Sequence, residues 1–355
     1  MYLCDSNYLI MKLKMILIAA LSMAVTTVFA QNVMRNLSQC ERVAYSDFKS
    51  VHPFEYIKKD NNWQLLYMLR TPSTAKALRK AGLTFNDEQL TYLEKAGMVK
   101  QVESNKWQTT LPIFDIEQTA ALRQLSRSIA TDVMDKSEGD YRQLVTELGK
   151  SNFADNAFSI AFSYMLDGLA WDAIAPDRYK LDNKADWKGV VWILCEPRKK
   201  TQFGTNSYGP IQETWTRTSL KNAPQHADLM PLAQCLLDNE ELKDATVIDH
   251  LKPYGIVNEA GKLQIPVIDR EKQDAVNNLC HRLSASLASA VKDNITRAQA
   301  ITKIDDKRTS IVLFHEIMWD TIDLLQARNL VKVPEVLTNE AAPKEQFRNV
   351  MFVIE

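Results

Sequence analysis

Glycine is scarce in this chain. The ten glycines in 355 residues are scattered singly, so no loop has the run of glycines that lets backbone amides close around a phosphate. Histidine is scarcer still: five residues with no cluster give a metal enzyme little to coordinate with. The one stretch that starts like a zinc-binding helix is His315-Glu316-Ile317-Met318-Trp319. It carries Trp319 where the second imidazole would stand one turn on, so the H-E-x-x-H site is incomplete. None of the five cysteines stands in C-x-x-C, the spacing that zinc ribbons and thioredoxin-type redox sites use. Neither sign of charge dominates, with 43 basic against 44 acidic residues and a net charge of -1. No global field therefore draws nucleic acid or anionic lipid. Beyond residue 30 no apolar run reaches the ~20 residues of a membrane-spanning helix.

What is present begins with an export signal. Lys12 and Lys14 precede an apolar run over residues 15–25 broken only by Ser22, and Val28, Phe29 and Ala30 follow as a small-residue cleavage pattern. The run is shorter than the ~20 residues a bilayer requires, so residues 1–30 read as a cleaved signal rather than an anchor, with Met11 as an alternative start. The expectation is an exported chain, periplasmic or extracellular, without a transmembrane span after cleavage. Cys40, Cys195, Cys235 and Cys280 remain in the mature part. An even number in an oxidising compartment allows three disulfide pairings. Against pairing, Cys280 shares a stripe with Leu279, Leu283 and Leu287, and Cys235 lies beside Leu232, Leu236 and Leu237, as small buried thiols do.

The chain also repeats itself. Residues 92–99 (YLEKAGMV) fall on residues 250–257 (HLKPYGIV), with Gly97 on Gly255, and residues 111–117 (LPIFDIE) fall on residues 265–271 (IPVIDRE), with Asp115 on Asp269. The intervening turn is shorter in the second copy, and length changes belong in loops. The helical stripe Ala121, Leu122, Leu125, Ile129 and Val133 corresponds to Ala275, Val276, Leu279, Leu283 and Leu287. Residues 157–173 correspond to residues 310–325, with Asp167 on Asp320. A repeat of roughly 150 residues is far longer than a solenoid unit and reads as domain duplication.

Each copy starts with short helices. In the first, residues 63–69 form an apolar helix, and Thr71 and Pro72 open a second through Ala75, Leu78 and Ala81 to Gly82. Asn86 caps a third, with Gln89 at the capping-box position, ending at Gly97. Residues 98–102 and 107–111 are β-rich and flank a turn at residues 103–106. Helix, turn, helix and hairpin is the order of a winged helix. The chain resembles that superfamily at L-x-x-L-x-x-A-G-M-V, residues 90–99, and in the wing over residues 100–106. The resemblance implies a mainly α (α+β) fold of tandem duplicated winged-helix-like units, each followed by long helices, with an inserted β-hairpin between them. The expected divisions are an N-terminal segment 31–60, a first unit 61–180, the insertion 181–222, a second unit 223–340 and a tail 341–355 closing on the strand 350–354. Within the insertion, the apolar residues 189–196 and the alternating residues 211–219 are expected to pair around the polar loop 197–209.

A winged helix suggests DNA, and the charges argue against it. The candidate reading helix, residues 87–96, carries Asp87, Glu88 and Glu94 against Lys95. Its counterpart, residues 240–252, carries Glu240, Glu241, Asp244 and Asp249 against Lys243 and Lys252. Such faces repel phosphate rather than reach for it. Lys76, Arg79 and Lys80 are the only local basic cluster, which a solvated helix face explains.

The densest functional stretch is residues 203–209 (FGTNSYG). Asn206 and Ser207 can hydrogen-bond, and Tyr208 and the nearby Trp215 offer aromatic faces of the kind that receive sugars or peptides. A plain turn is the alternative. The spacing G-x-x-S-x-G is one residue longer than a nucleophile elbow, which argues against an activated Ser207. His315 aligns on Phe162 and Trp319 on Leu166, apolar positions both, so His315 reads as a core histidine, while Asp167 and Asp320 read as braces between the repeats. The expectation is a non-enzymatic binding or protein-interaction protein outside the cytoplasm, needing no cofactor and no metal. Its protein, peptide or glycan partner is met by Asn206, Ser207, Tyr208 and Trp215. The alternatives are a DNA-binding regulator and a hydrolase of unassigned class.

Overall fold

The computed structural model describes residues 34–103, 105–175, 187–346 and 348–354. The export signal expected within residues 1–30 lies outside them, as does the start of the insertion at residues 181–186. The protein is mixed α+β, 54% helical and 16% strand, with small sheets. Two compact units divide it: Met1–Ala120 with Asp177–Pro197, and Ala121–Pro176 with Arg198–Glu355. Among the described residues no helix is long and apolar enough to cross a membrane.

In the first unit β1 (Glu41–Phe48) is followed by α1 (Pro53–Lys58), α2 (Asn62–Met68), the two-residue β2 (Ser73–Thr74), α3 (Ala75–Lys80), α4 (Asp87–Lys95), β3 (Val99–Glu103), β4 (Lys106–Thr109), β5 (Ile113–Phe114) and, much later in the chain, β6 (Trp187–Leu194). The helices start where side chains satisfy the free amides of their first turns. Thr74 accepts from the amide of Ala77 at 3.1 Å and Asn86 from that of Gln89 at 2.8 Å. Thr74 rather than Thr71 caps α3, because Ser73 and Thr74 are held in a strand opposite Trp107 and Lys106. The Gln89 side chain does not close a capping box; it donates instead to Asn61 and Asn62 at the head of α2.

Strands β2, β4 and β3 form one sheet in that order, and β1, β6 and β5 another. Strand β6 is central and apolar on both faces, as a strand covered on both sides must be. The structure corrects its pairing: residues 189–196 do not join residues 211–219 but run antiparallel to β1 along its whole length and parallel to β5. Gly189 is required there. Its φ is +114°, and a Cβ would sit 2.0 Å from the Tyr45 carbonyl oxygen. Ile57, Leu65, Leu66, Leu93, Met98 and Ile193 make up the centre of the core.

Helix α5 (Ile116–Lys150) opens at the end of the first unit and lies for most of its length in the second. Asp115 accepts from the amide of Gln118 at 2.9 Å, and the Gln118 side chain accepts in return from the amide of Asp115 at 3.3 Å, a reciprocal cap. The next helix is wound as a π-helix over Ile160–Ala170, between the α-turns Ala157–Ser159 and Trp171–Ile174. There follow β7 (Gly204–Tyr208), β8 (Ile211–Trp215), α6 (His226–Leu237), α7 (Ala245–Leu251), β9 (Val267–Asp269), α8 (Ala275–Asp293), α9 (Ile295–Thr302), α10 (Lys307–Ala327) and β10 (Val350–Ile354). The sheet order is β7, β8, β10, β9, with only the β10–β9 pair parallel.

The inserted hairpin is thus β7–β8, and the stretch expected as a loop supplies its first strand. Helix α7 begins only after Asp244, which accepts from the amides of Thr246 and Val247, so Glu240 and Glu241 precede the helix expected over residues 240–252. After the left-handed Gly255, where the sequence suggested a second hairpin, there is a single bridge between Val257 and Leu263. Cys280 is buried on α8, whereas Cys235 is only half-buried on α6, because its neighbours Leu236 and Leu237 also face outward.

Candidate functional site

Strands β7 and β8 pair in the register Gly204 with Trp215, Thr205 with Thr214, Asn206 with Glu213, Ser207 with Gln212 and Tyr208 with Ile211. Side chains alternate across a strand, so Asn206, Tyr208, Glu213 and Trp215 share one face. Thr205, Ser207, Gln212 and Thr214 share the other. On that second face the Ser163 hydroxyl of the π-helix accepts from Thr205 at 2.9 Å and lies 2.6 Å from the Thr214 hydroxyl. The hairpin therefore brings together Asn206, Tyr208 and Trp215 of the expected site residues and turns Ser207 away from them, exposed at the opposite side.

The shared face is built around Glu213, which sequence reasoning passed over. Its side chain is 4% exposed, and burial pushes its carboxyl up to about 7, partly offset by a hydrogen bond from Asn206. Burial and the neighbouring Glu213 also raise the Tyr208 phenol. The Tyr208 ring lies 4.4 Å from that of His226 at the start of α6. Trp215 lies against Gly204, where a Cβ would come within 2.6 Å of the indole. Glu213 Oε1 and Trp215 Nε1 are both buried with no hydrogen-bond partner, an uncommon state for interior polar atoms. The alternation of Ile-Gln-Glu-Thr-Trp was the available signal, since it places Glu213 and Trp215 side by side. As it stands this face presents the half-buried Asn206 amide and Tyr208 ring outward. The Trp215 indole donor and the Glu213 carboxyl, which changes from donor to acceptor near neutral pH, lie beneath and become available only if the face opens.

A second polar cluster sits at α10. Arg198 reaches Glu316 at 2.6 Å and Asp320 at 3.0 Å, Arg123 reaches Glu316 at 3.2 Å, and Ser126 donates to Asp320. Glu316 is fully buried. Burial alone would lower the Arg198 pKa, but the Glu316 and Asp320 carboxylates together hold it above its usual value. Asp320 thus ties helix α5 to helix α10. Its sequence counterpart Asp167 falls on the π-helix. His315 is buried one residue before Glu316, with Nδ1 2.8 Å from the Ile311 carbonyl oxygen and the rings of Trp171 and Trp319 at 4.8 Å and 6.0 Å. Burial drives its imidazole down to about 4, so it is a neutral core residue at pH 7. Among the described residues no group of three or more His, Cys, Asp and Glu side chains is placed to hold a metal ion. A separate cleft of about 520 Å³ is lined by side chains of both signs, among them Asp155, Lys332, Glu335 and Arg348.

In the basic cluster before α4, Arg79 is paired with Asp87 at 2.6 Å, which takes one cation out of play for phosphate. No protein-family model matches the chain, and neither a curated protein nor a solved structure does.

Proposed function

We propose that this chain is an exported, non-enzymatic binding protein built from two winged-helix-like units, and that it meets its partner with the Asn206, Tyr208, Glu213 and Trp215 face of the β7–β8 hairpin. One observation carries the reading: a buried carboxyl oxygen and a buried indole N–H without partners stand on the same strand face, beside two aromatic rings. Buried hydrogen-bonding groups left unmade are costly, and a polar ligand with flat apolar faces that opens this face would complete them. A glycan or an extended peptide has that character. The order α2, β2, α3, α4, β3, β4, with β4 between β2 and β3, supports a winged-helix-like plan for the first copy, and the capped α7 with its single bridge is a reduced form of it in the second.

The test is a pull-down and glycan-array screen with the mature chain, followed by titration of any hit against Tyr208→Ala and Trp215→Ala. Loss of affinity by tenfold or more in both supports the site; unchanged affinity in both refutes it. Cell fractionation with sequencing of the processed N-terminus tests export. The winged-helix-like arrangement also favours a second reading, DNA binding, which the acidic α4 opposes. A mobility shift at low salt would support it, and a null result there removes it.

A further inference from the structure

Four cysteines in the mature part allow three pairings on sequence grounds, and the first unit singles out one. Strands β1 and β6 are in register from Glu41 opposite Leu194 to Phe48 opposite Trp187. The ladder ends there, and carrying its register one step further outward would set Cys40 opposite Cys195. Cys40 has extended backbone, with φ -103° and ψ 148°, so it continues the line of β1. On β6, the amides of Ile193 and Cys195 donate to the carbonyls of Pro112 and Phe114 on the β5 side, each at 2.9 Å. Cys40 and Cys195 are therefore a pair with no ladder hydrogen bond between them. At such positions opposed Cα atoms lie about 4.5 Å apart with side chains drawn together, inside the span that a disulfide bridges. Both thiols are free in the structure and buried, at 6% and 0% exposure, with the Cys40 thiol donating to the Asn36 carbonyl at 3.4 Å. Cys235 and Cys280 belong to the second unit, on α6 and α8.

We infer that Cys40 and Cys195 are a disulfide pair that locks β1 onto the central strand β6 whenever the chain folds in an oxidising compartment. The chemistry is thiol–disulfide exchange with a small disulfide oxidant such as oxidised glutathione. The Cys40 thiolate attacks one sulfur of the oxidant and releases one glutathione thiolate. The Cys195 thiolate then attacks Cys40 Sγ of the mixed disulfide and releases the second. Two protein thiols lose two protons and two electrons, and one oxidised glutathione becomes two reduced molecules. Cys40 is suited to attack first: hydrogen bonding from Cys195, and then the charges of Arg35 and Arg42, lower its pKa against the opposing effect of burial. The bond closes a loop of about 155 residues, and a loop of that length gives a large stabilisation in the chain-entropy account.

The inference goes beyond the export reading and is tested without it. The purified mature chain is refolded with reduced and oxidised glutathione, alkylated without reduction, digested and analysed by mass spectrometry. The expected product is a single linked peptide pair joining Cys40 to Cys195, with Cys235 and Cys280 alkylated. Dithiothreitol should lower the Tm of the first unit by on the order of 10–25 °C. That redox-dependent difference should vanish in Cys40→Ser and in Cys195→Ala, and persist in Cys235→Ser. Free Cys40 and Cys195 after oxidative refolding, or a link from either to Cys235 or Cys280, overturns the inference. So does a reductant response that survives Cys40→Ser. The linked-peptide measurement is made on the unaltered chain, so it decides the matter even where a variant folds poorly.

Discussion

Replacing Arg198 with alanine removes the cation that bridges two buried carboxylates of α10. Glu316 is fully buried and keeps only the Arg123 guanidinium at 3.2 Å, while Asp320 keeps the Ser126 hydroxyl and a longer contact of 3.9 Å to Arg127. Removing one partner of a buried ion pair typically costs about 3–5 kcal/mol, because the remaining charge is left without compensation in a medium that solvates it poorly. Arg198 also sits 5.4 Å from the Trp319 ring centroid, a cation–π contact of about 0.5–2 kcal/mol. The expected loss for Arg198→Ala is therefore about 4–6 kcal/mol, or a fall in Tm on the order of 10–20 °C for a unit of this size. The quadruple variant Arg123→Met, Arg198→Met, Glu316→Gln, Asp320→Asn removes the four buried or mostly buried charges together and leaves only Arg127, 44% exposed. It should recover at least half of the loss, because replacing an entire buried ion cluster by neutral groups of similar volume is often close to neutral. Urea unfolding followed by tryptophan fluorescence, with thermal unfolding by circular dichroism, measures both. A loss below about 1 kcal/mol for Arg198→Ala, or a quadruple variant less stable than the single one, would refute the electrostatic account of this cluster.

Three further outcomes follow from buried groups of the second unit. His315 binds its proton near 6.5 when unfolded but only near 4 when folded, so its contribution is full above pH 6.5 and is lost as pH falls from there to 4. The loss is about 3 kcal/mol, and urea midpoints at pH 4.5 and 7 should show His315→Phe relieved of that share of the acid sensitivity. Glu213 has the opposite sign: its carboxyl is raised from 4.5 to about 7, so its contribution is full below pH 4.5 and is lost as pH rises through 7, again by about 3 kcal/mol. Glu213→Gln should flatten the difference in stability between pH 5 and pH 8, and an unchanged slope would count against a buried acid at this position. Gly204→Ala should displace the Trp215 indole, since the new methyl carbon would lie 2.6 Å from it. A shift in tryptophan emission and a loss of about 1–3 kcal/mol are expected, and an unaltered spectrum would argue that the two residues are not in contact.

Local chemistry was legible in the sequence, and distant pairing was not. Asn86 announced the start of α4, the Leu279, Leu283 and Leu287 stripe announced α8, and the apolar VMFVI tail announced β10, because caps and periodicity act within a few residues. Strand β1 escaped notice although it is the longest partner of β6. Its sequence ERVAYSDF mixes charge and β-branching, and what makes it a strand is a ladder to residues far along the chain, a kind of contact that composition does not encode. The same reason hid β7. Gly204-Thr-Asn-Ser-Tyr208 has turn chemistry, yet lying against the β-rich β8 extends it. The aromatic and amide members of the candidate site were readable as residue types, but Glu213 could be grouped with them only once the register was known. Ser207 was placed with its neighbours in sequence when the pleat sends it to the far side.

The π-helix at Ile160–Ala170 sets the rotational phase of all that follows it. In an ordinary α-helix each residue advances about 100° around the axis, so shortening this stretch by one residue and letting it relax to α winding would swing the downstream side chains through roughly that angle. Trp171, which now lies parallel to Phe314 at 5.5 Å and edge-on to His315, would be carried away from both. The wide turn thus works as a spacer in angle rather than in length, and it couples the aromatic cluster behind α10 to the number of residues upstream.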